Sequence, residues 1–161
     1  MSKEECDRAE GVFSWNSGVS FSSGAPASFG PWHWVSDTLA SRADPIVACD
    51  PLTNDLSGKI AIISRGTCAF YDKILHAQQA GAVGAIILNN GGNMPDTMGC
   101  GGNCSDIYIP ALMIPDEGVS SINVVLDTDP DHLFTIECLG NVDISNYERF
   151  VRIFVSSIAN V

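Results

Sequence analysis

Apolar residues are unevenly distributed along the chain. The sharpest pattern begins after the Ser57-Gly58 turn, where residues 59–64 form a short apolar run rich in β-branched side chains. Such a run predicts a strand buried on both faces. Residues 65–68 read as a loop. From residue 70 to residue 80 the period changes to that of a helix, with Phe70, Ile74 and Ala77 on one face and Gly81 placed to end it. Residues 84–89 form a second buried run. Strand, helix and strand with short connections predict a βαβ unit with parallel strands. A third strand is expected over residues 109–114, entering through Pro110. A short helix should open at Pro115-Asp116-Glu117-Gly118 and run to about Leu126, its two carboxylates suited to the positive end of the helix. A last strand is expected over residues 133–139.

The flanks read differently. Residues 11–36 mix Gly, Ser and Pro with Phe13, Trp15, Phe21, Phe29, Trp32 and Trp34, which predicts short strands and loops. These aromatics either line a groove or cap the core from irregular structure. At the other end, Ile144, Tyr147, Phe150, Val151, Phe154, Val155 and Ile158 recur at helical spacing, with Asp143 or Ser145 as a cap. The division expected is a domain over residues 1–140 and an amphipathic extension over residues 141–161. That extension either packs on the domain or leads to a next one, and packing is the favoured reading.

A length of 161 residues with 45% hydrophobic residues suits one domain with a real core. Six cysteines (Cys6, Cys49, Cys68, Cys100, Cys104 and Cys138) then point to disulfides and an oxidising compartment. Zinc needs paired cysteines or His partners, and the close pair Cys100 and Cys104 has no second pair to complete a tetrahedron. Cys100–Cys104 is the first pairing expected and Cys49–Cys68 the second. Residues 1–5 lack the apolar core of a signal peptide, and no apolar run is long enough to span a bilayer. The cysteines nevertheless imply an extracellular or lumenal protein. A removed targeting segment is therefore expected, with Met1 as an added start residue.

The formal net charge of −11 argues against nucleic acid and anionic membranes as partners. Catalytic constellations are missing. The three histidines, His33, His76 and His132, have no nucleophile elbow or HExxH around them. Asp127, Asp129 and Asp131 alternate as calcium ligands can, but an EF-hand would need Gly and Glu where His132 and Cys138 stand. A solvated helix-to-strand turn is the favoured reading. Asn103-Cys104-Ser105 is a glycosylation sequon. No cofactor and no metal is expected.

The run from Gly58 to Phe70, GKIAIISRGTCAF, resembles the signature of the protease-associated (PA) domain family, a strand, an Arg-Gly-x-Cys-x-Phe turn and a helix. Lys73, Ala77-Gln78, Ala80-Gly81-Ala82, Gly84-Ala85-Ile86-Ile87, Asn89-Asn90 and residues 109–114 continue the resemblance, as do residues 26–30, Asp44-Pro45 and residues 49–52. It spans about residues 12–140. The loop holding Cys100 and Cys104 and the stretch 141–161 depart from the family pattern. The resemblance implies a compact α/β (α+β) fold, a partly open barrel or sandwich-like sheet with flanking short helices. It also implies a non-catalytic role. PA domains occur in subtilisin-like proteases, zinc aminopeptidases, vacuolar sorting receptors and RING ubiquitin ligases. In the sorting receptors the turn helps bind the end of a cargo peptide. By position this implies Arg65, Gly66, Thr67, Cys68, Ala69 and Phe70 as peptide-binding residues, joined by Asn89 and Asn90. The turn also leads to a helix N-terminus, whose free N–H groups attract anionic or carbonyl groups. The alternative is that the motif only builds the turn, in a structural or regulatory insert of a larger secreted protease. The partners expected are a peptide or protein ligand and the neighbouring domains of the parent protein.

Overall fold

A computed structural model describes residues 13–16, 21–31, 35–92, 95 and 97–138. The described strands are β1 (Phe13–Asn16), β2 (Phe21–Pro26), β3 (Val35–Arg42), β4 (Ile60–Ser64), β5 (Gly84–Leu88), β6 (Ala111–Ile114) and β7 (Leu133–Cys138). The two described helices are α1 (Phe70–Gln79) and α2 (Asp116–Thr128). The α/β fold class expected from the sequence is present, a curled mixed sheet with short flanking helices. Its strands follow one another as β1-β2-β6-β5-β4-β3-β7, and antiparallel pairing of β7 with β1 closes the ring.

The βαβ unit forms as the periodicity predicts. β4 and β5 are parallel from Ile60↔Gly84 to Ser64↔Leu88, and β6 continues in parallel to Leu88↔Ile114. These three strands are nearly continuous apolar runs because both of their faces are covered. Ile60 and Ile62 join Ile86, Leu88, Leu112, Ile114, Phe134 and Ile136 inside the ring, with Ile122 of α2 closing the cluster. The alternate residues, Ala61, Ile63, Ala85, Ile87 and Met113, pack outward against Ile74 and Ala77 of α1. Period-two alternation thus serves two cores from one sheet.

Helix α1 ends in a Schellman arrangement. The Gly81 N–H donates to Gln78 O and the Ala82 N–H to Ala77 O, both at 3.0 Å. Gly81 has φ +90°, and a Cβ there would lie 2.9 Å from Ser57 Cα, so both backbone and space demand glycine.

Several bounds differ from expectation. β6 starts at Ala111, since Ile109 and Pro110 are buried yet outside the strand. β3 extends to Arg42, well beyond the stretch expected to hold strands. Phe29 is buried in the outer core, which is the capping reading for that aromatic. Trp32, His33, Trp34 and Cys6, the side chains of Phe13, Trp15, Phe21 and Cys138, and the expected extension over 141–161 lie outside the described residues.

Candidate functional site

The parallel register brings the C-terminal ends of β4, β5 and β6 to one edge, where crevices of parallel sheets form. Arg65 follows β4 directly and Asn89 follows β5. The Arg65 N–H donates to Leu88 O at 3.0 Å, extending the ladder by one residue. The Arg65 Nη1 donates to Asn89 Oδ1 at 2.7 Å. Asn89 is only 3% exposed, and its Nδ2 donates to Gly92 O at 2.8 Å. Asn90 is exposed and donates through Nδ2 to Arg65 O at 3.1 Å. The guanidinium carbon lies 6.0 Å from the Phe70 ring centroid, at the outer edge of cation–π range. The residues that follow β4 and β5, 24 positions apart in sequence, therefore form one cluster.

Between Arg65 and Phe70 the chain makes a tight turn. Gly66 has φ +136°, and the Cys68 N–H donates to Gly66 O at 2.8 Å. Thr67 holds φ +51°, which is costly for a β-branched residue. Thr67 and Ala69 are exposed, while Gly66, Cys68 and Phe70 are half-buried. Ala69 caps α1 without a side-chain acceptor, so among the described residues no side-chain cap bond is made to the first N–H groups of the helix. Cys68 is bonded to Cys49, which ties the turn to the loop before β4.

One contributor was not legible as such in the sequence. Lys73 belongs to the recognised pattern, but its place is inside the protein, with 0% exposure. Its Nζ donates to Val47 O, to Ser64 O at 3.2 Å and towards Cys49 Sγ at 3.7 Å. Burial lowers its pKa, with the charge of Asp72 acting in the opposite direction. The available signal was its spacing, three residues from Phe70 and four before Ala77, on the apolar side of α1.

The pairing expected first from the sequence also forms, with Cys100 bonded to Cys104 in the loop before β6. Both cysteines pack against the outer core. Asn103 is exposed, and its Oδ1 accepts the Ser105 N–H at 3.1 Å. Of the three alternating aspartates, Asp127 lies in the last turn of α2 and Asp129 just beyond it, and these two have side-chain partners. Asp127 pairs with Arg42 at 2.8 Å and Asp129 contacts His132 at 3.1 Å. No group of three potential metal ligands occurs among the described residues. An open depression of about 460 Å³ lies at the far end of α1, lined by Leu52, Asn54, Asp55, His76 and Gln79 among others. It is separate from the Arg65 turn.

The PA domain model matches residues 20–122, well over half of the chain. The chain belongs to the PA domain family. This PA domain is 35% identical over 121 residues to signal peptide peptidase-like 3 of Arabidopsis thaliana, covering 70% of the chain and 22% of that protein. It is 37% identical over 99 residues to ER degradation-enhancing alpha-mannosidase-like protein 3 of Xenopus laevis, covering 55% of the chain and 10% of that protein. Among solved structures, the aminopeptidase from Aneurinibacillus sp. strain AM-1 superposes with a TM-score of 0.61 at 20% identity, covering 86% of this chain and 37% of that one. That likeness is one of fold. The PA domain thus spans about a fifth or less of the curated relatives named here.

Proposed function

We propose that this PA domain is a non-catalytic module that binds a peptide or protein, or positions a substrate, within a secreted or membrane-anchored protein. The observation that carries this reading is the Arg65 cluster. A guanidinium is held by Asn89 beside Phe70, next to helix N–H groups that no described side chain caps. A peptide's terminal carboxylate fits that combination of fixed cation, apolar ring and backbone donors. Two disulfides support an extracellular or lumenal setting. The reading as a non-enzyme is supported by the histidines with described side chains. His76 Nδ1 faces Ala48 O at 2.9 Å, and His132 is engaged by Asp129. The test is calorimetric titration with peptides ending in a free carboxylate or an amide. Saturable binding that favours the carboxylate, and weakens at least about tenfold in a folded Arg65→Ala variant, is the expected result. Unchanged affinity in that variant rejects the site.

A second reading is favoured by the small share that the domain takes of its relatives. In it the domain is a structural or regulatory insert of a larger protease and binds no free peptide. Deleting it from its host would then alter the host's stability or substrate range, while the isolated domain would bind none of the peptides above.

A further inference from the structure

The two sulfurs of Cys49–Cys68 sit in unlike surroundings. Lys73 Nζ lies 3.7 Å from Cys49 Sγ, and the Thr67 hydroxyl lies 3.1 Å from the same atom. No described donor approaches Cys68 Sγ in this way. Lys73 is the unusual group. Its three acceptors, Val47 O, Ser64 O and Cys49 Sγ, match the three N–H bonds of an ammonium, whereas a neutral amine has two. Among the described ion pairs none involves Lys73, so a buried cation is held by neutral acceptors alone. A thiolate on Cys49 would give that cation its missing anion.

The backbone points the same way. Of the three described non-glycine residues with positive φ, Ala48 (+49°) precedes Cys49 and Thr67 (+51°) precedes Cys68. Conformations of this kind are costly for residues other than glycine and gather where a structure switches or binds. Both are located at the ends of this one bond. Cys68 itself is half-buried between the exposed residues Thr67 and Ala69.

We propose that Cys49–Cys68 is an exchangeable disulfide in which Cys68 is the electrophilic sulfur, so that Cys68 is a modification site for a small-molecule thiol. The incoming thiolate forms a bond to Cys68 Sγ as the bond between Cys68 Sγ and Cys49 Sγ breaks. The electron pair leaves on Cys49 Sγ, as a thiolate beside Lys73. The products are a mixed disulfide at Cys68 and one thiolate at Cys49. Either Cys49 attacks Cys68 Sγ again and restores the original bond, or a second small thiolate attacks its own kind in the mixed disulfide and releases Cys68 reduced. Selectivity arises because the better-stabilised thiolate leaves faster.

The experiment is to expose the intact protein to reduced glutathione, quench with acid and map the adducts by mass spectrometry without reduction. The adduct on Cys68 should exceed that on Cys49 by about tenfold or more, as a lowered leaving-group pKa requires. Equal labelling, an excess on Cys49, or no adduct on either cysteine would overturn the proposal. Lys73→Met should move the ratio towards one and slow the appearance of the adduct. If that variant does not fold, Thr67→Val removes the second donor from an exposed position and should lower the ratio in the same sense. A wild-type ratio in the folded variants would overturn the roles of Lys73 and Thr67.

Discussion

The two described disulfides make an instructive pair. Cys49–Cys68 joins residues 19 apart, reaches from the loop before β4 to the turn after it, and has a buried lysine at its side. Cys100–Cys104 joins residues four apart within a single loop. The first fixes one piece of chain against another across the outer core. The second fixes a loop against itself. Cross-linking limits the unfolded chain more as the closed loop grows, so the first bond should contribute more to stability. It also holds the candidate site, whereas the second lies on a part of the chain that departs from the family pattern.

The largest effect should come from the lysine behind the longer staple. Lys73→Ala leaves Val47 O and Ser64 O without a donor and opens a cavity. The expected loss is about 4 kcal/mol, measured by urea unfolding. The same residue should leave a mark in alkali. Burial holds the folded pKa of Lys73 below its ordinary 10.5, so between the folded pKa and 10.5 the unfolded chain carries the extra proton. Stability should therefore rise with pH through that window and fall as pH drops back through the folded pKa. Lys73→Met should flatten this rise, and a matching rise in the variant would show that other groups cause it.

Replacing Cys49 and Cys68 together with alanine should cost about 3 kcal/mol, and doing so at Cys100 and Cys104 about 2 kcal/mol. Comparing the two double variants by thermal unfolding sharpens the contrast, and a larger loss for the short loop would reverse it. The smallest effect on stability is expected for Arg65→Ala, about 1 kcal/mol for its bond to Asn89. A loss as large as that of the cysteine pair would make Arg65 a structural residue above all.

The elements most legible in the sequence are those whose burial is two-sided or whose period is clean. β4, α1 and β5 lie within a residue of the expected bounds, because Ile60 to Ile63 and Ala85 to Leu88 are buried throughout and α1 has a clear apolar face ending in glycine. β3 was not legible over Asp37–Arg42, where Leu39 is exposed and polar residues predominate. Its strand exists because β4 and β7 pair with it from distant parts of the chain. The site was half legible. The Arg65–Phe70 run announces itself, and its link to Asn89 follows from a βαβ register. The burial of Lys73 did not, since a lysine in a short amphipathic helix ordinarily keeps its ammonium in water. Only the carbonyls of Val47 and Ser64, brought in by tertiary packing, make an interior place for it.

One consequence of the closed ring concerns portability. Phe13 of β1 and Cys138 of β7 are register partners in neighbouring antiparallel strands. The outermost described strands thus leave the domain side by side, a strand's width of about 5 Å apart. A unit with such neighbouring ends can be spliced into a surface loop of a host without prising the flanks of that loop apart. The hydrogen bonds that complete the barrel thereby also make it transplantable, which suits a domain whose relatives carry it as a small part of unlike chains.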